Sequence, residues 1–264
     1  MTSSAPDPIR IERRGAVTIV SINRPDRRNA LTAAMLDGLR RIAEDFRSDM
    51  ATRAVILRSD AQDFSVGADI GAMGGDGPAT ALARRMAENG ALLLRAIREI
   101  HQPTLCLVRG VATGGGACIA SACDFRFATP DARVGYGEVK IGINLMWRAL
   151  PLAIQAVGLA RAKRMVMTGD LFDAATLHQW GLFDDVYAAD TAEEAVLAEA
   201  ERFAALPPVA VQMIKRSANA FAGALDAAVM HADTDQWLLA TRTHDFAEGI
   251  AAFRDKRPAQ FNGD

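Results

Sequence analysis

The sequence predicts an α/β protein in which a strand–strand–helix unit recurs and a helical segment closes the chain. Over roughly the first two-thirds, short apolar runs typical of buried strands alternate with longer runs of helical spacing. From about residue 192 to 253 the spacing is helical throughout, with Pro207-Pro208 marking a boundary. Half of the 264 residues are apolar, which suits one large domain or a core domain with a smaller appendage.

The amino-terminal segment predicts a β-hairpin followed by a helix. Residues 9–13 and 16–22 alternate apolar and polar positions around Arg14-Gly15. Thr32 is a suitable N-cap, and apolar residues recur at helical spacing until about Phe46.

The rest of the chain alternates strand-like and helix-like runs, with Gly or Pro between many of them. Strands are expected over residues 54–57, 104–111, 125–128, 133–135 and 182–187. Helices are expected over residues 80–100, from about 114 to 123, and over 147–168, 173–180 and 192–253. The Gly-rich stretch 71–78 is expected to be a loop.

Composition and charge exclude several function classes. The net charge of −2, with 23% charged residues, gives no indication of a nucleic-acid surface. The three cysteines lie in apolar runs and are odd in number, which indicates reduced thiols of an intracellular protein. Cysteines and histidines show no metal-ligand spacing, and neither a signal peptide nor a membrane span is visible. We therefore expect a cytoplasmic protein with no membrane or nucleic-acid partner.

Three consecutive glycines, Gly114 to Gly116, separate the strand-like run 104–111 from a helix-like run. Glycine loses more conformational freedom on folding than any other residue, so a triple glycine suggests that the backbone must approach another group closely. A helix N-terminus also presents free N–H groups backed by partial positive charge. The stretch therefore predicts an anion or oxyanion site; the alternative is a tight turn without chemistry.

Glu138 is the one carboxylate in the small and apolar segment 134–142, which also contains Lys140. Burial there would raise its pKa toward the range of a general base. Gly67-Ala68 is a second backbone-exposing stretch after a strand-like run, so two N–H donors are available. Two such donors and one carboxylate suffice for proton transfer next to a thioester carbonyl, because the donors hold an enolate oxygen while the carboxylate moves the proton. The alternative is a structural salt bridge with Lys140 or a nearby arginine.

Over nearly its whole length the chain resembles the crotonase superfamily, that is, the enoyl-CoA hydratase/isomerase family. The matching motifs, which together are specific by order and spacing, are Asn23-Arg24-Pro25 with Asn29-Ala30-Leu31, Phe64-Ser65-x-Gly67-Ala68-Asp69-Ile70, Gly110-x-Ala112-x-Gly114-Gly115-Gly116 with Cys123-Asp124, Gly135-x-x-Glu138-x-x-x-Gly142, Thr168-Gly169, Gly181-Leu182 and Phe253-x-x-Lys256-Arg257-x-x-x-Phe261.

The resemblance implies a crotonase-like spiral of ββα turns with a C-terminal helical trimerisation domain. The corresponding division is a core with the CoA-ester site over residues 1–200 and a helical domain over 201–264. It also implies a homotrimer or a dimer of trimers. Coenzyme A would enter as part of the acyl-CoA substrate, with no further cofactor and no metal.

Carried over by position, the resemblance implies that the N–H groups of Ala68 and Gly115 form an oxyanion hole and that Glu138 is the catalytic acid–base. The loop around Arg27, Arg28 and Ala30 would line the CoA nucleotide. Arg27, Arg28 and Lys256 are also compatible with ordinary charged positions on the surface. The methionines are compatible with simple filling of the core. The remaining substrate- or CoA-binding candidates are Ser65, Asp69, Ile70, Met73, Gly114, Cys118, Met146, Trp147, Lys256 and Phe261.

Two departures from the family pattern bear on the reaction. Cys118 stands where hydratases usually carry a first glutamate, and Asn144–Arg148 replaces a Pro-Gly-x-Gly-Gly run that lines the pocket. One carboxylate suffices for a 1,3-proton shift, whereas hydration normally uses two, so the sequence favours a Δ3-to-Δ2 enoyl-CoA isomerase.

The alternatives are a hydratase with one glutamate and an acyl-CoA or β-diketone hydrolase. A non-catalytic CoA-ester binder is disfavoured by the retained Glu138, and a Cys118 nucleophile by the absence of a histidine placed to activate it.

Overall fold

The computed structural model of the protein describes residues 7–69 and 80–264, so Ile70, Met73 and the loop expected over 71–78 lie outside the described residues. The strands are β1 (Ile9–Arg14), β2 (Val17–Ile22), β3 (Ala54–Ser59), β4 (Thr104–Val108), β5 (Val111–Thr113), β6 (Phe125–Ala128), β7 (Arg133–Gly135), β8 (Phe172–Asp173) and β9 (Asp185–Val186). The helices are α1 (Ala33–Asp45), α2 (Thr80–Arg98), α3 (Gly115–Ala122), α4 (Leu150–Val157), α5 (Leu159–Thr168), α6 (Ala174–Trp180), α7 (Ala192–Ala204), α8 (Pro208–Ala222), α9 (Asp226–Met230), α10 (Asp233–Ala240) and α11 (His244–Asp255). Short 3-10 turns cover Pro25–Arg27 and Glu138–Ile141.

The strands of the described residues form two sheets. The larger has the order β1-β2-β3-β4-β6-β9, with β1 antiparallel to β2 and all other neighbours parallel. The smaller has the order β5-β7-β8, with β5 and β7 parallel. Single parallel bridges between Leu31 and Ala68 and between Ser65 and Ala112 extend this second layer toward the chain start.

Successive stretches of chain therefore repeat one path. Each passes through a strand of the larger sheet, makes a short pairing in the second layer and continues into a helix, as in β4-β5-α3 and β6-β7-α4. The bridges at Leu31 and Ser65 mark the same step before α1 and α2. The structure confirms the predicted α/β fold and its recurring strand–strand–helix unit.

The central strands bury both faces, which explains their continuous apolar sequences. Val20, Leu57 and Cys106 belong to the main core with α1, α2 and α3. Ile19 and Leu105 belong to a second cluster on the opposite face, because successive side chains of a strand point to opposite sides. Helix α7 covers this second face with small and apolar residues, Ala192, Val196, Ala200 and Ala204.

Several predicted elements need correction. The strand expected over 104–111 is two strands in different sheets, because the chain turns at Gly110 (φ 53°), where a β-carbon would lie 2.5 Å from the Gln62 carbonyl oxygen. The helix expected over 147–168 begins at Leu150 and is divided at Gly158 (φ 81°). The strand expected over 182–187 covers only Asp185–Val186. The helical pattern expected over 192–253 forms the five helices α7 to α11.

A buried ion pair links the carboxy-terminal helices to the core. Lys215 of α8 lies 2.6 Å from Asp124 and donates a hydrogen bond to the Gln102 carbonyl oxygen at 2.9 Å. The side chains of Lys215 and Asp124 are only 8% and 15% exposed. The division of the chain near residue 200 stays a prediction. In the described part of the chain, no helix combines the length and apolar character needed to cross a membrane.

Candidate active site

The backbone segments around Gly67 and Gly114 lie against each other. Gly67 has φ 86°, and a β-carbon built on it would lie 2.7 Å from the Thr113 carbonyl oxygen and 3.3 Å from the Gly115 nitrogen. No side chain fits between backbone groups at these distances, so glycine is required at position 67. Ala68 and Gly115 are thereby brought to one place, although 47 positions separate them in sequence.

Within the described residues the amides of Ala68 and Gly115 have no acceptor, whereas the amides of Gly67, Asp69 and Gly114 are all used. Gly67 donates to the Ser65 hydroxyl at 3.1 Å, Asp69 to the Leu31 carbonyl at 3.1 Å, and Gly114 to the Gly135 carbonyl at 3.2 Å. Neither Ala68 nor Gly115 donates to any acceptor within residues 7–69 and 80–264. Gly115 is also the first residue of α3, whose N-cap Gly114 provides no side-chain cap. The positive end of the helix dipole therefore lies behind one free donor.

Asn29 holds the loop that carries Ala68. It is fully buried with φ 56°, and its Nδ2 donates to the Ser59 hydroxyl at 2.7 Å and to the Asp63 carbonyl at 2.9 Å. Ser65 donates its hydroxyl to the Asn29 carbonyl at 2.8 Å and accepts from the Gly67 amide. Ser65, predicted as a substrate contact, is thus buried behind the loop and orients it; its contact with substrate stays a prediction.

The predicted nucleotide-binding loop contains ion pairs. Arg24 donates through Nη1 to the Ala30 carbonyl and to Asp69 Oδ2, both at 2.9 Å. Because Asp69 follows Ala68, this pair ties the basic loop to the segment with the free amide.

Two further arginines of this loop differ in their surroundings. Arg28 has φ 51° and donates to Asp63 Oδ2 at 2.7 Å, while Arg27 lies exposed at the end of the 3-10 turn. Their contact with CoA stays a prediction.

Glu138 points its carboxylate at the triple glycine. A β-carbon built on Gly114 would lie 3.2 Å from Glu138 Oε1. Oε2 is buried and has no partner within the described residues, and burial raises the Glu138 pKa to about 7. Lys140, the expected partner, instead lies 3.2 Å from Asp170. The salt-bridge interpretation is therefore wrong for Lys140, and Glu138 has the environment of a general base near neutral pH.

Helix α11 fixes the turn that carries Glu138. Gly142 ends this turn with φ 74°, and a β-carbon there would lie 3.0 Å from the Asp245 carbonyl oxygen. A β-carbon on Gly249 would lie 2.7 Å from the Ile141 α-carbon, so the helix and the turn are in close backbone contact. The C-terminal segment thus supports the turn that carries Glu138 directly.

Cys118 lies inside the core on α3 and is 1% exposed. Burial, together with the negative charges of Glu138 and Asp233, holds its thiol pKa well above the ordinary value. The thiol is therefore neutral at pH 7, which argues against both a thiolate nucleophile and an acid equivalent to glutamate.

The segment that replaces the family's glycine run forms a left-handed turn. Trp147 has φ 64° and Arg148 has φ 56°. A β-carbon built on Gly115 would lie 2.4 Å from Trp147 Cη2, and one built on Gly90 would lie 2.0 Å from Trp147 Cδ2, so the indole lies against both glycines. Met146 turns the other way and packs with Ile141, Ile143 and Ile250.

Lys256 and Phe261 lie on the surface at the end of the chain. Lys256 ends α11 with φ 52°. Beyond it the tail folds back on that helix, where Asp245 accepts from the amides of Asn262 and Gly263 at 2.8 and 3.0 Å. The participation of Lys256 and Phe261 in a CoA site stays a prediction.

Comparison with known proteins decides the family. The family model described as enoyl-CoA hydratase/isomerase matches residues 12–264. The chain belongs to the enoyl-CoA hydratase/isomerase family.

Family members named for different activities are similar to the chain. It is 29% identical over 253 residues to 2,3-dehydroadipyl-CoA hydratase of Escherichia coli, covering 96% of this chain and 98% of the relative. It is 30% identical over 257 residues to 1,2-epoxyphenylacetyl-CoA isomerase of Escherichia coli, covering 95% and 96%. The crystal structure of an enoyl-CoA hydratase from Mycobacterium avium subsp. paratuberculosis superposes with a TM-score of 0.87 at 29% identity, covering 97% of this chain and 99% of that one. The chain is thus a crotonase-type enzyme with the crotonase fold.

Sequence reasoning assigned no site role to Asn29, Gly90 or Asp233. Asn29 lies in a recognised motif, and an Asn beside turn residues is a signal for the left-handed conformation that it adopts. Gly90 is a glycine inside a helix, which usually has a packing reason when it is tolerated. Asp233 gave no signal, because its contacts reach 85 to 89 positions away in sequence.

Proposed function

We propose that the protein is an enoyl-CoA isomerase that shifts a Δ3 double bond to Δ2, with Glu138 as its single acid–base. The observation that carries this proposal is the Glu138 carboxylate: one of its oxygens is buried with no partner in the described part of the chain, and its pKa of about 7 suits proton transfer in both directions. It lies beside Gly114, next to the amides of Ala68 and Gly115, which have no acceptor among the residues that the structure describes and suit a thioester oxygen.

The step needs only this carboxylate and these amides. Glu138 takes a proton from C2 of a 3-enoyl-CoA, and the C2–H electron pair moves into a dienolate whose oxygen accepts hydrogen bonds from Ala68 and Gly115. The protonated Glu138 then returns the proton to C4, and the double bond comes to rest between C2 and C3. Atoms and electrons balance without water, metal or redox partner.

Two side chains favour isomerisation over hydration. Hydration uses a second acid–base group, and losing one such group typically costs about 10²–10⁴-fold in rate. Cys118 is a neutral thiol at the position where hydratases usually carry that group. Asp233, the other carboxylate whose charge acts on Cys118, already accepts the Arg148 amide at 3.0 Å.

The proposal includes location and assembly. Free, buried thiols at Cys106, Cys118 and Cys123 support the reducing cytoplasm. A trimer or dimer of trimers formed through a helical domain over residues 201–264 is supported by exposed apolar side chains along α8 and α9. These are Val209, Met213, Ile214, Phe221 and Val229.

The test offers the purified protein a 3-enoyl-CoA and the matching 2-enoyl-CoA and separates isomerised, hydrated and hydrolysed products by chromatography. We expect isomerisation to exceed hydration, Glu138→Gln to abolish turnover, and CoA-ester binding to survive the substitution. Faster hydration would instead identify a single-glutamate hydratase, and release of free CoA a hydrolase. Either result would refute the isomerase, as would an unchanged rate in Glu138→Gln.

A further inference from the structure

The indole of Trp147 fills the space between the middle of α2 and the start of α3. Its Cδ2 and Cε2 face Gly90, and its Cη2 and Cζ3 face Gly115. A β-carbon on Gly90 would lie 2.0 Å from the ring, and one on Gly115 would lie 2.4 Å from it, so both helices lack side chains where the ring rests. The ring is half-buried and packs against the main core.

The turn that carries this ring is held from the C-terminal segment. Trp147 and Arg148 are consecutive non-glycine residues with positive φ, a conformation that persists only where the surroundings impose it. Asp233, the first residue of α10, accepts the Arg148 amide at 3.0 Å through Oδ2. Asn144, at the start of the turn, donates to the Asp233 carbonyl at 3.3 Å. Asp233 is only 3% exposed, so its carboxylate is committed to this turn.

We propose that Trp147 is a specificity-determining residue that closes the space between α2 and α3 to long acyl chains, and that Asp233 is the residue that positions it. The inference rests on the proposed acyl-CoA function, in which Gly115 donates to the thioester oxygen. The ring in contact with Gly115 therefore lies next to the start of the acyl chain. The preferred substrates are thioesters of short acyl groups.

The test measures binding and uses thioesters that cannot react. Saturated butanoyl-CoA and decanoyl-CoA have no double bond to shift, so the ratio of their dissociation constants by calorimetry is independent of isomerase activity. We expect Trp147→Ala to change this ratio by about tenfold or more in favour of decanoyl-CoA, the scale at which pocket volume discriminates acyl groups. Trp147→Leu serves the same purpose if the alanine variant does not fold.

Asp233 is tested through the same ratio. Asp233→Ala removes the acceptor for the Arg148 amide and is expected to shift the ratio toward decanoyl-CoA. Asp233→Asn keeps an oxygen acceptor and should retain the wild-type ratio, an outcome that separates positioning from general stability. Trp180→Ala is the matched control, because it removes the indole of α6 that packs against Phe172 of β8; it should leave the ratio unchanged.

An unchanged ratio in Trp147→Ala and Trp147→Leu would overturn the role of Trp147. A ratio altered equally by Asp233→Asn and Asp233→Ala, or by neither, would overturn the role of Asp233. A shifted ratio without isomerase turnover would refute the proposed reaction and leave this inference standing. Absence of any CoA-ester binding would overturn both.

Discussion

Replacing Glu138 by Gln should change activity and stability in opposite directions. The amide cannot accept the C2 proton, so we expect the isomerisation rate to fall by about 10³-fold or more, as for loss of an essential acid–base group. Gln is close in shape to the protonated acid, so the backbone site around Gly114 should persist. Binding of a saturated acyl-CoA should stay within a few-fold of the wild type.

The gain in stability expected for Glu138→Gln follows from the raised pKa of Glu138. Burial raises the Glu138 pKa from the ordinary value of 4.5 to about 7. Between these values the folded state binds more protons than the unfolded state, so the free energy of unfolding falls as the pH rises through this range. At about 1.4 kcal/mol per pH unit, the buried carboxylate lowers the free energy of unfolding by about 3 kcal/mol at pH 8 and by less than about 1 kcal/mol at pH 5. Gln does not ionise and avoids this cost.

Urea unfolding of both proteins at pH 5 and pH 8, at one protein concentration, measures the difference. Glu138→Gln should be the more stable protein at pH 8 by about 3 kcal/mol and nearly equal to the wild type at pH 5. Glu248→Gln is a control of opposite sign, because Arg257 lowers the Glu248 pKa to about 2 and its ionised form stabilises the fold above pH 4.5. Equal stability of Glu138→Gln and wild type at pH 8 would refute the claim that the carboxylate is desolvated.

Three further predictions concern the pH dependence of the rate, the Ala68 amide and the ion pair between Lys215 and Asp124. The kcat/KM for isomerisation should rise with pH and level off above about 7, since the base must be ionised in the free enzyme; a profile flat from pH 5 to 8 would contradict Glu138 as the base. Gly67→Ala should lower kcat by about 10²-fold or more, because its β-carbon would lie 2.7 Å from the Thr113 carbonyl oxygen and move the Ala68 amide; wild-type kcat would show that this amide is not used. Lys215→Ala should lower the free energy of unfolding by about 3 kcal/mol by leaving Asp124 buried without its cation, and a loss below about 1 kcal/mol in urea unfolding would contradict that role.

The elements that the sequence predicted well are those specified by neighbouring residues. The β-hairpin around Arg14-Gly15 and the cap of α1, where Thr32 accepts the Met35 amide at 3.2 Å, depend on contacts within a few positions. The break at Gly110 and the left-handed turn at Trp147 depend on segments far away in sequence. Apolar periodicity carries no information about such contacts. It therefore predicted one strand over 104–111 where two occur, and a helix from residue 147 that begins only at Leu150.

The candidate site divides in the same way. The triple glycine and the isolated Glu138 were visible because backbone exposure and an acid in an apolar segment are unusual locally. The sequence did not predict that the triple glycine and Glu138 lie close together, because this proximity arises from the coiling of successive turns of the chain. The contact of Gly90 with Trp147 and the bond from Arg148 to Asp233 required the structure for the same reason.

The coiling of the chain fixes the backbone positions in the site, whereas the side chains around them can vary. Ala68, Gly115 and Glu138 each follow a short second-layer pairing, at Ser65, β5 and β7 respectively, so the repeat of the fold brings them together. The two amides belong to the backbone, and Gly67 and the buried Asn29 hold the segment that carries Ala68. We propose that chemistry and substrate choice then depend on the side chains around these segments. In the proposed function, Cys118 replaces an acid and Trp147 occupies space beside Gly115, so these two side chains would account for a one-base reaction on short acyl groups.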